Sequence, residues 1–206
     1  MGTIKVLIAD DHSVVRMGLA SLLGSAKDIE IVGEAIDGVD AVRKALKFRP
    51  DVVVMDLVMP RKNGVLATEE IHAAVPEIKI LILTTFGTSD DITHALKAGA
   101  LGAIMKSASN RELLATVHAV AAGQKTISAE IEGLIKNDPP IPELSQRQRE
   151  ILDAISRGLT NNDIAKMLDI SLESVKSHIK VILEKLDAAS RTEAVSIALR
   201  KHLLKI

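Results

Sequence analysis

A chain of 206 residues that is 47% apolar has enough material for one or two buried cores, and with two phenylalanines and no tyrosine or tryptophan those cores must be aliphatic. Zero cysteines exclude a disulfide framework, a thiol nucleophile and cysteine-ligated zinc or iron–sulfur centres, which fits a reducing compartment. The net charge of −1 hides a change of sign: residues 1–142 carry 15 Lys and Arg against 18 Asp and Glu, net −3, and residues 143–206 carry 11 against 9, net +2, a mildly basic rear domain whose charge alone is too small to establish nucleic acid as a partner.

The first apolar run, Ile4–Ala9, is broken by Lys5 and closed by Asp10-Asp11, so it does not read as a signal peptide. No apolar stretch approaches transmembrane length, and the expected location is the cytoplasm, without a membrane segment. That run predicts a strand, followed by a helix capped by Ser13 and ending near Gly24. Ile29–Ala35 predicts a second strand. Asp37-Gly38 opens a helix with Ala41, Val42, Ala45, Leu46 and Phe48 on one face, stopped by Pro50. Val52-Val53-Val54-Met55, bounded by Pro50 and Pro60, predicts a short buried strand with Asp56 at its end. A loop over Pro60–Gly64, a helix to about Val75, a strand Ile78–Leu83, a helix around Asp91–Ala98, a strand Ala103–Met105 and a helix Asn110–Ala122 follow. Strands alternating with single helices predict an α/β fold with a doubly wound, five-stranded parallel sheet over residues 1–123.

Residues 124–143 have the weakest pattern. Asp138-Pro139-Pro140-Ile141-Pro142 holds three of the six prolines, so this stretch is expected to be a semi-rigid linker. No internal repeat is present. From residue 144 to 206 the pattern is all helical: Ser145, Thr160, Ser171 and Ser190 each can cap one of four helices. The short link Asp169-Ile170-Ser171 between the second and third is the mark of a helix-turn-helix. On the third, Val175, Ile179, Ile182, Leu183 and Leu186 form an apolar stripe, leaving Lys176, Ser177 and Lys180 free to meet a DNA groove. The last helix, with Val195, Ala198 and Leu199, is expected to offer a dimer surface.

In a doubly wound sheet ligands bind beyond the carboxyl ends of the strands, where the crossover direction reverses. Asp10, Asp11, Asp56, Thr84 and Lys106 all fall at such ends. Three carboxylates suit a hard divalent cation, Mg²⁺ before Ca²⁺ because so few protein ligands are offered, while Lys106 and Thr84 suit phosphoryl oxygens. The product of phosphoryl transfer would be an acyl phosphate on Asp56. No phosphate-cradling glycine loop is present, so direct use of ATP is not expected. The six histidines form no zinc-ligand spacing.

The set Asp10-Asp11, Met55-Asp56-Leu57-Val58-Met59-Pro60, Leu83-Thr84-Thr85 and Lys106 resembles the receiver domain of bacterial two-component response regulators. The residues from Leu144-Ser145-x-Arg147 through Ser174-Val175-Lys176-x-His178 to Arg191-Thr192-Glu193-Ala194 resemble the LuxR-type four-helix DNA-binding domain, and together the two resemble the NarL/FixJ class of transcription regulators. The resemblance implies that Asp56 accepts a phosphoryl group from a sensor histidine kinase, that Asp10, Asp11, Asp56 and the backbone carbonyl of Val58 hold Mg²⁺, and that phosphorylation favours a homodimer and DNA binding. It also places Val58 and Phe86 beside the path of an attacking water, where apolar groups predict a long-lived phosphoryl group. The chain departs from the family pattern at Ala103, usually aromatic, and at Ser107, often proline; Gln148 and Ser174 stand where Glu and Thr are commoner. Two other readings share part of the pattern. A phosphatase passing through a phospho-aspartate also needs an aspartyl nucleophile and Mg²⁺, but the position two after Asp56 is Val58, not a second acid. A constitutive DNA binder with a receiver used only for dimerisation is the third reading, which the Ala103 departure keeps open.

Overall fold

The computed structural model describes residues 2–85, 89–137, 140, 144–201 and 203–204. The chain forms two units, residues 1–139 and 140–206.

In the first unit the order is β1 (Ile4–Ala9), α1 (Ser13–Gly24), β2 (Ile29–Ala35), α2 (Gly38–Phe48), β3 (Val52–Met55), α3 (Gly64–Ala74), β4 (Lys79–Thr84), α4 (Ser89–Lys97), β5 (Gly102–Met105), α5 (Asn110–Ala121), β6 (Thr126–Ile127) and α6 (Ala129–Asn137). The strands lie side by side as β2-β1-β3-β4-β5-β6, every pair parallel. Because side chains alternate across a strand, each strand feeds two apolar layers. Leu7, Val53, Met55, Ile80 and Ile82 meet Ala41, Ala45, Ala67, Ile71 and Ile92 of α2, α3 and α4 on one face. Val6, Ile8, Val52, Val54, Leu81 and Leu83 meet Leu23 of α1 and Leu113, Val117 and Val120 of α5 on the other. Burial on both faces is why the central strands read as unbroken aliphatic runs.

Two expectations are corrected. Ser13 is the first residue of α1, not its cap; the cap is His12, which makes no side-chain capping bond and whose N–H donates to Asp10 Oδ1 at 2.8 Å. The sheet has six strands among the described residues, not five, because part of the expected linker belongs to the first unit. Thr126 and Ile127 pair with Gly102 and Ala103 on the edge of β5, and Ser128 N–H donates to the Ala103 carbonyl at 3.0 Å. Beyond them α6 packs on β5 and α4. Ile131 is fully buried in the apolar layer that holds Ala103 and Ile92, with Ile127, Leu134 and Ile135 packed against it. The residues at 131, 134 and 135 share one helical face, a pattern too short to stand out beside the prolines that follow. Of the proline-rich stretch only residue 140 lies within the described residues.

The second unit is α7 (Gln146–Ser156), α8 (Asn161–Leu168), α9 (Leu172–Leu186) and α10 (Arg191–Arg200). Ser145, Thr160, Ser171 and Ser190 each accept a hydrogen bond from the backbone N–H three residues on, and the first two complete reciprocal capping boxes with Gln148 and Asp163. Gln148 also accepts from Lys185 Nζ at 3.0 Å, tying α7 to α9. The core joins Leu144, Ile151, Leu152, Ile164, Val175, Ile182, Leu186, Ala194 and Ala198. Ala198 is fully buried there, so the apolar face of α10 expected to serve a dimer is used in part by the domain's own core.

If α6 is part of the receiver fold, Ile131→Ala should lower the stability of the first unit by about 2–5 kcal/mol, the usual cost of emptying a buried aliphatic site. Urea unfolding of the full chain checks this; a tether residue would leave the transition unmoved.

Candidate functional site

Register brings the polar strand ends together. Ala9 pairs with Met55, and Asp56 N–H donates to the Ala9 carbonyl at 2.8 Å, so Asp10 and Asp56 leave adjacent strands side by side. Thr84 pairs with Met105, and Lys106 N–H donates to the Thr84 carbonyl at 2.8 Å. These residues stand at the end of the sheet where β1 lies between β2 and β3, the point at which the crossovers change direction. The first turn of α3 closes over Asp56: Gly64 N–H donates to the Leu57 carbonyl at 2.9 Å, and a side chain on Gly64 would collide with the Asp56 carbonyl oxygen.

Asp10 and Asp56 are 1% and 5% exposed, and Lys106 Nζ bridges them, 2.5 Å from Asp10 Oδ2 and 2.9 Å from Asp56 Oδ2. The other oxygens are held by backbone: Leu57 N–H donates to Asp56 Oδ1 at 2.8 Å, and Asp10 Oδ1 takes the His12 N–H. Burial lifts the Asp56 carboxyl above the usual carboxylate range; Lys106 opposes the rise and the neighbouring Asp10 charge adds to it. For Lys106, burial favours loss of its proton, but the hydrogen bonds to Asp10 and Asp56 and their charges outweigh it and raise the ammonium above its ordinary value.

Asp11, more exposed, completes the group. Carboxylate oxygens of Asp10, Asp11 and Asp56 and a ring nitrogen of His12 all lie within 4.8 Å of one another. His12 directly follows the acid pair in the chain, and its Nδ1 lies 2.7 Å from Asp11 Oδ1. One ammonium among three carboxylates leaves a negative site of hard oxygens, and that donor set fits Mg²⁺. Thr84 is fully buried, and its hydroxyl oxygen has no hydrogen-bond partner among the described residues. Such a hydroxyl costs about 1–3 kcal/mol until an acceptor arrives. A cavity of about 280 Å³ is lined by Asp11, His12, Val15, Asp56, Val58, Thr84, Thr85 and Lys106. Val58 is 62% exposed at its mouth. Phe86 lies outside the described residues.

In the second unit α8 and α9 are joined through Asp169, whose φ of 50° turns the chain sharply at the helix end. Val175, Ile179, Ile182 and Leu186 face the core of the domain, and Lys176, Ser177 and Lys180 are exposed. Among the described residues Lys176 pairs with the exposed Glu173 at 3.4 Å and Lys180 with Glu184 at 3.9 Å, pairs too weak in water to withhold either ammonium from another anion. No helix among the described residues is long and apolar enough to cross a membrane.

Comparison with known proteins agrees with both units. Residues 6–118 match the response regulator receiver domain family, and residues 142–198 match the luxR family of bacterial regulatory proteins. The transcriptional regulatory protein LiaR of Bacillus subtilis is 39% identical over 98% of this chain and 99% of its own length. The oxygen regulatory protein NreC of Staphylococcus epidermidis is 38% identical over 98% and 99%. Among solved structures, the response regulator ChrA of a heme-sensing two-component system aligns with a TM-score of 0.59 at 38% identity, covering 99% of this chain and all of that one. A DNA-bound dimer of RcsB shares the fold, with a TM-score of 0.70 at 24% identity over 97% and 99%. With a parallel sheet that gathers the acid cluster, a capped helix-turn-helix after it in the chain, and relatives matched over nearly their whole length, the chain belongs to the two-component response regulators of the NarL/FixJ class, which regulate transcription through a receiver and a LuxR-type DNA-binding domain.

Proposed function

We propose that Asp56 is the phosphoacceptor of this regulator, that a sensor histidine kinase is its donor, and that phosphorylation switches homodimerisation and sequence-specific binding of double-stranded DNA. The observation that carries the reading is the Lys106 bridge between the buried carboxylates of Asp10 and Asp56, with Asp56, Lys106 and a Thr84 hydroxyl that has no hydrogen-bond partner among the described residues lining one cavity. An Asp56 oxygen attacks phosphorus, the P–N bond of the phosphohistidine breaks as the new P–O bond forms, and the leaving imidazole takes up a proton. Lys106 and Thr84 then face the phosphoryl oxygens, one with charge and one with a hydroxyl donor. Asp10, Asp11, Asp56 and the backbone carbonyl of Val58 would hold Mg²⁺, which neutralises charge on the transferring group. In the second unit, Lys176, Ser177 and Lys180 of α9 are the residues that would reach base edges or phosphates in the major groove, as the exposed face of the second helix of a helix-turn-helix does.

Incubation with Mg²⁺ and acetyl phosphate, followed by measurement of mass and oligomeric state, tests the reading. The wild type should gain one phosphoryl group and dimerise, and Asp56→Asn should do neither; labelling of Asp56→Asn at the same site would refute it. The pH dependence has a definite sign. Burial raises the Asp56 pKa in the folded state, so the protonated, non-nucleophilic form persists to higher pH than for an ordinary aspartate, near 3.9. In the cation-free protein the Asp56 carboxyl should therefore titrate above that value, as read from its NMR carboxyl shift against pH, and added Mg²⁺ should lower it. By the same linkage, this group's contribution to stability without cation is lost as pH rises through the carboxylate range.

Lys106 occupies, without cation, the place of the compensating charge. Lys106→Met leaves two buried carboxylates unpaired and should cost the first unit about 3–5 kcal/mol, and added Mg²⁺ should raise its unfolding temperature by more than that of wild type. Equal shifts in both proteins would count against a shared site.

For DNA, a Lys176 that reads a base should make Lys176→Ala about 1–3 kcal/mol weaker on its specific site and relax preference at one position. A lysine that touches only phosphate should instead weaken all duplexes alike and reduce the salt slope by about one. Binding of Lys176→Ala and Lys180→Ala to specific and random duplexes at two salt concentrations separates the two, and unchanged affinity in both variants would remove α9 as the reader.

A further inference from the structure

The loop that joins Asp56 to α3, residues 57–63, is held in a conformation its own residues do not favour. Arg61 has a φ of 64°, and Lys62 N–H donates to the Pro60 carbonyl at 2.7 Å, closing a three-residue turn of the uncommon positive-φ kind. A long side chain in that region is strained and stays there only when its surroundings hold it.

What holds it is on α2. The Arg61 guanidinium is ion-paired with Oδ2 of Asp37, a carboxylate with no solvent exposure. Gly38 N–H donates to the Lys62 carbonyl at 3.1 Å, and a side chain at position 38 would collide with that oxygen, so the approach depends on glycine. The Lys62 ammonium is ion-paired with Glu70 of α3. Asp37 divides its two oxygens: Oδ1 caps α2 by accepting the Asp40 N–H at 2.8 Å, and Oδ2 serves Arg61. A cap does not require a charge, since serine and asparagine cap as well. Full burial of a carboxylate is costly without a charged partner, and here that partner belongs to the loop. The near end of the same loop is closed by Gly64 N–H on the Leu57 carbonyl, and between the two ties lies Val58, on the cavity of the acid cluster.

We propose that Asp37, acting through Arg61, is a positioning residue for the cation site: the pair of a buried carboxylate and a surface guanidinium clamps the Pro60–Lys62 turn and thereby holds the Leu57–Met59 backbone against Asp10, Asp11 and Asp56. The inference rests on the Mg²⁺ site proposed above. It extends that site to an element, the N-terminus of α2, that supplies none of its ligands.

The test is calorimetric titration of MgCl₂ into the full chain, with thermal unfolding measured in parallel. Asp37→Ser keeps the helix cap and is too short to reach Arg61; Arg61→Ala removes the same tie from the exposed side. Each should weaken Mg²⁺ binding about ten-fold, the effect typical of losing a group that orients a ligand. The double variant should be no weaker than either single one, and Asp37→Asn, which caps and can still accept from Arg61, should lose less. Unchanged Mg²⁺ affinity in folded Arg61→Ala, or additive losses in the double variant, would overturn the inference. A lowered unfolding temperature at constant affinity would overturn it equally, because it would assign the pair to stability alone. Failure of the wild type to bind Mg²⁺ would instead strike the proposed cation site itself.

Discussion

Asp10 and Asp56 place two carboxylates in the protein interior within reach of a single ammonium, and most of what surrounds them can be understood as the means of keeping them there. Isolated charges at that depth would be neutralised or expelled. Lys106 offsets one of them, backbone N–H groups of Leu57 and His12 take one oxygen of each, and a negative remainder is left at the strand ends. The parallel sheet is what makes the arrangement geometrically possible. Hydrogen-bonded neighbouring strands lie about 4.8 Å apart, so polar residues placed one past the last aliphatic residue on each strand fall within contact of one another.

Charge and hydrogen bonding act differently in the two units. In the first, ion pairs such as Arg43–Asp40 and Lys62–Glu70 lie at the surface, but Asp10 and Asp56 are buried and their cost is offset by Lys106. In the second the helices are defined by exposed caps, with Ser145, Thr160, Ser171 and Ser190 each satisfying a backbone N–H of a first turn. Caps and an aliphatic core hold that unit together, and Lys176, Ser177 and Lys180 on the outer face of α9 lie outside that core. These lysines, in weak solvent-exposed pairs, are available for an anionic partner.

Segment 124–137 shows how a short element can be misread. Proline-rich sequence immediately after it suggests a tether, yet β6 gives the exposed edge of β5 a hydrogen-bonding partner and α6 covers apolar surface beside Ala103. Ala103 is fully buried between β4 and β6, at a strand position where the family commonly carries an aromatic ring.

The aliphatic runs, their spacing and the polar residue at the end of each were enough to predict from sequence the parallel sheet, the four capped helices and the gathering of Asp10, Asp11, Asp56, Thr84 and Lys106 at one end of the sheet. Those features are local: a strand buried on both faces must be aliphatic along its length, and a cap must sit three residues before the N–H it satisfies. Tertiary structure alone decided the rest. That Ile131 is core, that Ala198 faces inward, that Ser13 does not cap, and that Asp37 reaches Arg61 are consequences of which elements become neighbours. Residues 37 and 61 are joined only when α2 and the loop after β3 meet at the same end of the sheet, and no periodicity along the chain records such a meeting, because the partner that makes a buried charge tolerable is chosen in space.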